Sequence, residues 1–115
     1  MNNTYSLNKF LEFDRVLLEA VDEGLMVLGG GVRQVIYYHL EHKCYLCKED
    51  IPNKLEAFVD ALERIFLPPG AKVIEKLVTR KLYSKLGLSF EEAEYHSFKD
   101  CVEEARRRIG ELVND

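Results

Sequence analysis

From Leu11 to Leu112 the apolar residues of this chain recur three or four positions apart, and no stretch of useful length alternates apolar with polar. A helix completes a turn in about 3.6 residues, so this spacing lays each apolar set along one helical face, whereas a half-buried strand needs a period of two. The spacing predicts an all-α chain, folded as a compact bundle of about five helices.

Residues 1–9 are polar and without periodicity, and read as a flexible arm. Phe13, Val16, Leu17, Ala20, Val21, Leu25 and Leu28 then form one face. Gly24 interrupts it, at a cost of about 1 kcal/mol relative to Ala unless close packing needs the missing side chain. Gly29, Gly30 and Gly31 end this helix, because glycine reaches the left-handed backbone that a helix terminus requires. A second face follows in Val32, Val35, Ile36, His39 and Leu40, flanked by Tyr37 and Tyr38.

Cys44 to Pro52 reads as a connector, since the residue before a proline is pushed toward extended backbone. Leu55, Phe58, Val59, Leu62, Ile65 and Phe66 mark a third helix, which Pro68, Pro69 and Gly70 break. Val73, Ile74, Leu77, Val78, Leu82 and Leu86 mark a fourth, ending at Gly87. Ser89 with Glu92, and Ser97 with Asp100, offer two capping starts for the last helix, whose buried side is Phe98, Cys101, Val102, Ala105, Ile109 and Leu112. Short connections favour antiparallel neighbours, with the second and fourth helices near the centre.

At 115 residues the chain suits one domain, and with 47% hydrophobic and 31% charged residues it can bury a core. A net charge of −4 argues against broad capture of DNA or anionic membrane, which needs many uncompensated Lys and Arg. No apolar run approaches the roughly 18 residues that cross a bilayer, and Met1 to Phe10 lacks a signal peptide's pattern. Cys44, Cys47 and Cys101 are too few, and odd in number, for a disulfide scaffold, so the expected compartment is the cytoplasm.

The words LGGGVRQVIYYHLEHK, KEDIPNKLEAFVDALERIF and GAKVIEKLVTRKLY lie between about Leu25 and Leu88. Over this stretch, a little more than half the chain, the sequence resembles the Nitrosopumilus output domains, small archaeal proteins proposed as output modules of signal transduction. The resemblance implies a compact helical domain with a regulatory or partner-binding role, and brings no enzymatic residues with it. Cys44 and Cys47 stand outside the resemblance, and the triple glycine and LPPG depart from the single tight turns expected at those junctions.

His39, His42, Cys44 and Cys47 form HxxHxCxxC, whose residue types match a tetrahedral zinc shell, although all four come from nine residues rather than two separated pairs. The favoured reading is plainer: His39 is a packed helix residue, His42 a solvated one, Cys47 fills an apolar gap and Cys44 is incidental. A thiol-exchange role is disfavoured, because Cys44 sits at a helix C-terminus, where the dipole opposes the thiolate. Gly29 to Gly31 lacks the GKS or GKT of a phosphate loop.

Lys72, Lys76, Arg80 and Lys81 make one side of the fourth helix basic, and Arg106, Arg107 and Arg108 add a second cluster. Glu75 interrupts the first, so a solvated face is favoured over a nucleic-acid surface. The favoured function is a cytoplasmic regulatory or interaction module without catalytic activity or cofactor, homodimeric through Tyr37, Tyr38 and the glycine turn. A zinc- or redox-responsive sensor and a DNA-binding regulator are the rivals.

Overall fold

The computed structural model describes the backbone of residues 2–114 and the side chains of residues 12–111. Four helices, α1 (Asn2–Met26), α2 (Gly30–Lys43), α3 (Leu55–Leu86) and α4 (Phe98–Asn114), are joined through 3-10 turns at Lys48–Asn53 and Glu92–Glu94. Among the described residues there is no strand, and the fold is an all-α bundle. Its radius of gyration of 14.3 Å is close to the ~13 Å of a well-packed domain of this length, so the helices form one body.

The helix α1 begins at Asn2, inside the segment that reads as an arm. Extending an existing helix adds one hydrogen bond per residue fixed, so a polar segment can continue an amphipathic one. The side chains up to Leu11, and that of Leu112, lie outside the described residues.

The principal packing is α1 against α3, with α4 laid across both. Leu17, Ala20, Val21 and Leu25 face Ala71, Ile74, Val78 and Leu82 in one buried cluster. Gly24 permits the close approach: a Cβ there would stand 2.7 Å from Val78 Cγ2 and 3.4 Å from Val78 Cα. The missing side chain is therefore a packing device. On the α4 side, the Phe58 and Phe98 rings meet at 5.7 Å, and the Tyr83 hydroxyl donates to the Cys101 carbonyl at 2.7 Å. Arg106 pairs with Asp14 at 3.0 Å while its guanidinium lies 4.5 Å from the Phe13 ring centre.

The third and fourth helices of the sequence reading join directly within α3, with no loop between them. The break falls at Leu67, whose φ of 61° and ψ of 162° are non-helical. Pro68 disfavours helical backbone at the residue before it, and neither proline can donate a backbone hydrogen bond, so the change of direction concentrates at one residue. The second arm ends at left-handed Gly87, where the amides of Gly87 and Leu88 cap the carbonyls of Ser84 and Tyr83. Of the two capping starts, Ser97 is the one used: its Oγ accepts from the Asp100 amide at 3.0 Å, and α4 follows.

Two expectations about the core need correction. The fourth helix, as the second arm of α3, is central together with α1, but α2 lies at the edge, burying only Ile36 and Leu40. Leu28, Val32, Val35 and Val73, read as core-facing, are exposed. On α2 the reason is angular: Val35 precedes Ile36 by one residue and so stands about 100° away from it around the helix.

Candidate functional site

What holds α2 in place also decides what it displays. Asp22 on α1 accepts from Arg33 Nη1 at 2.8 Å and from the Tyr37 hydroxyl at 3.2 Å, and Lys48 Nζ lies 3.6 Å from the same carboxylate. Lys48 also stands 5.2 Å from the centre of the Tyr37 ring. Burial first, then the Asp22 charge, pushes the Tyr37 phenol well above its ordinary value, so it stays protonated and donates. One carboxylate thus fastens the inner flank of α2 to α1 and to the turn at Lys48–Asn53.

The opposite flank is left to solvent. Gly31, Val32, Val35, Tyr38, His39 and His42 project from it at helical spacing, and none of them is Asp, Glu, Lys or Arg. Val35 is 67% exposed and Tyr38 62%, high values for large apolar bodies on a short helix. The Tyr38 and His42 rings lie 4.1 Å apart, and Met26, Val27 and Leu28 continue the exposed apolar surface into the preceding turn. Gly29, with φ of 105°, turns the chain from α1 into this helix. Of the two tyrosines expected at a dimer contact, Tyr38 is free to make one and Tyr37 is engaged within its own chain.

The residues of HxxHxCxxC are not drawn together: among the described residues no group of three or more His, Cys, Asp or Glu side chains is placed to hold a metal ion. Cys44 ends α2, Tyr45 follows with a left-handed φ of 54°, and the Leu46 amide bonds the Leu40 carbonyl at 2.9 Å. Those contacts bury Leu46 under the helix end and leave Cys47 exposed and Cys44 half-buried, both as free thiols. Burial of Leu46, rather than convergence of ligands, dictates the path of the chain here.

Two of the four cations of the basic stripe share one carboxylate. Glu92 receives Lys76 Nζ at 3.4 Å and Arg80 Nη2 at 2.7 Å, and Lys76 also stands 5.5 Å from the Tyr95 ring centre. Lys72 and Lys81 have no ion pair among the described residues. In the second cluster Arg106 pairs with Asp14 and Arg107 with Glu104 and Glu111, while Arg108 has no ion pair among the described residues. Beneath the stripe, Glu75 is 7% exposed and accepts from the Tyr95 hydroxyl at 2.9 Å. Burial holds this carboxyl above its ordinary value, the Tyr95 bond opposing and the Glu63 charge adding to the shift.

One cleft was not foreseen from the sequence. It has a volume of about 410 Å³ and lies between the end of α3, the following loop and α4, lined among others by Tyr83, Phe90, His96, Cys101, Glu104 and Arg108. Its chemistry is quiet. Burial raises the Cys101 thiol away from the reactive thiolate and pushes Tyr83 up to about 12, while Arg107 holds the Glu104 carboxyl low. The Tyr83 hydroxyl is already given to a backbone carbonyl. The residues were visible in the sequence, but only the fold-back after Gly87 brings them to one place.

Compared with family models, with characterised proteins and with solved structures, the chain matches none.

Proposed function

We propose that this chain is a regulatory, partner-binding module without catalytic activity, working in the cytoplasm as an output element of signal transduction. The observation that carries the reading is the outward flank of α2, a charge-free surface of Val32, Val35 and Tyr38 on an element whose other side is clamped to the body. Contiguous exposed apolar surface of this kind suits association with another macromolecule. The likeness to the Nitrosopumilus output domains points the same way. Among the described residues no helix is long and apolar enough to cross a membrane. Cys44, Cys47 and Cys101 are free thiols, which agrees with a reducing compartment. The DNA-binding reading loses support because Lys76 and Arg80 are occupied by Glu92.

Affinity capture from an extract of the source cells, with wild-type and Val35→Glu baits compared by mass spectrometry, tests the reading. The expected result is at least one protein, a second copy of this chain included, retained by the wild type and lost with Val35→Glu, whose circular dichroism stays unchanged. A Val35→Glu bait that keeps every partner would overturn the reading. So would turnover of a small molecule that Glu104→Gln abolishes.

A further inference from the structure

Resting on that reading, we infer that the occupant of the α2 flank is a second copy of this chain, seated antiparallel across a two-fold axis that passes beside Val35. Three observations carry the inference.

The first is the pattern of side chains. A two-fold contact is self-complementary, so in an antiparallel helix pair centred on position 35 the residues that meet have numbers summing to twice that position. Val35 then faces Val35 of the partner subunit, and Val32 faces Tyr38 of the partner subunit. Gly31 faces His39 of the partner subunit. Tyr38 is thus set against the smaller Val32 and His39 against a glycine, which lets the two backbones approach at the 8–10 Å typical of packed helices.

Charge is the second. The chain carries a net charge of −4, so bringing two copies together costs least where neither presents Asp or Glu. Positions 31, 32, 35, 38, 39 and 42 hold no charged carboxylate or ammonium. A basic or acidic partner would gain nothing from this flank, whereas an identical neutral one meets no repulsion on it.

The third is area. Met26, Val27, Leu28, Val32, Val35 and Tyr38 are between 37% and 67% exposed. Covering them removes on the order of 500 Å² per chain, about 1,000 Å² across the pair, which reaches the lower limit of a specific interface. The inner flank is already fastened through Asp22, so little ordering of α2 remains to oppose association.

Sedimentation equilibrium of the full chain tests this directly. At tens of micromolar the wild type is expected at twice its 13.3 kDa mass. Val35→Glu should weaken association by roughly two orders of magnitude or more, because two carboxylates would face each other at the axis. A second measurement fixes the register. In a Cys44→Ser, Cys47→Ser background, Val35→Cys should form a disulfide-linked dimer on mild oxidation, and Gln34→Cys, on the side of α2, should not. A wild-type monomer across this range overturns the inference. So does a dimer in which Gln34→Cys links and Val35→Cys does not. A monomer that still captures another protein through Val35 would overturn the second copy and leave the interaction reading standing, which separates the two failures.

Discussion

Glu75 is a carboxyl group that the fold hides and then supplies with a single phenol, and its environment sets a sign for the acid response. Its pKa in the folded chain lies above the ordinary value near 4.5, chiefly because burial penalises the charged form. The folded state therefore binds this proton more tightly than the unfolded state does. The associated stability is fully present below the ordinary value and is lost as pH rises through the raised one. Glu75→Gln keeps an acceptor for Tyr95 and removes the buried charge. At neutral pH it should be at least as stable as the wild type, with the two denaturation midpoints converging on acidification; a variant less stable at pH 7 would sink this account. Gly24→Ala is the complementary case. Alanine favours a helix by about 1 kcal/mol, yet its methyl would press on Val78, and overpacking of this kind typically costs about 1–3 kcal/mol. A net loss of stability is expected by urea denaturation, and a net gain would show that α1 and α3 can move apart freely.

At the scale of elements, the informative object is α3. Its two apolar stripes were readable because each runs over several turns, and the break was readable because proline lacks an amide hydrogen and crowds the preceding residue. That the break would be one residue long was not readable, since the same LPPG text also suits an ordinary loop. Leu67 takes the whole change, in a backbone region that costs a residue with a side chain on the order of 1–3 kcal/mol. Its side chain is 68% exposed, so it contributes little packing in return. Leu67→Gly should consequently leave the thermal midpoint unchanged or raise it, the relieved strain offsetting glycine's freer unfolded chain; a fall of several degrees would mean that Leu67 is not strained. Along α2 the sequence was less readable. Periodicity marks which residues share a face, but not which of two neighbouring faces meets the body, and here Asp22, distant in sequence, makes the choice.

For the molecule as a whole, fold class followed from spacing alone, because every apolar stripe needs shelter and helices of this length obtain it only from one another. The candidate sites followed less well. The HxxHxCxxC text has the right ligand types, but a zinc shell also needs convergence, and burial of Leu46 sends the chain elsewhere. Protein purified without a histidine tag should carry zinc well below one equivalent per chain by elemental analysis, and chelator should leave its melting temperature unmoved. Near-stoichiometric metal would require a rearrangement after Cys44. The basic stripe was read as a solvated face, and what the sequence did not show is the ion pairing on it: Lys76 and Arg80 are neighbours along the helix, but their shared counterion, Glu92, arrives from the loop that folds back.

The attachment of α2 through one carboxylate has a consequence for how such a domain can diversify. Substitutions at Val32, Val35 or Tyr38 exact almost nothing from the interior, so mutation and selection can rewrite what the outward side recognises while the α1 and α3 framework keeps its sequence. A lineage could in this way inherit one scaffold and assign it new companions, generation by generation, without ever passing through an unfolded ancestor.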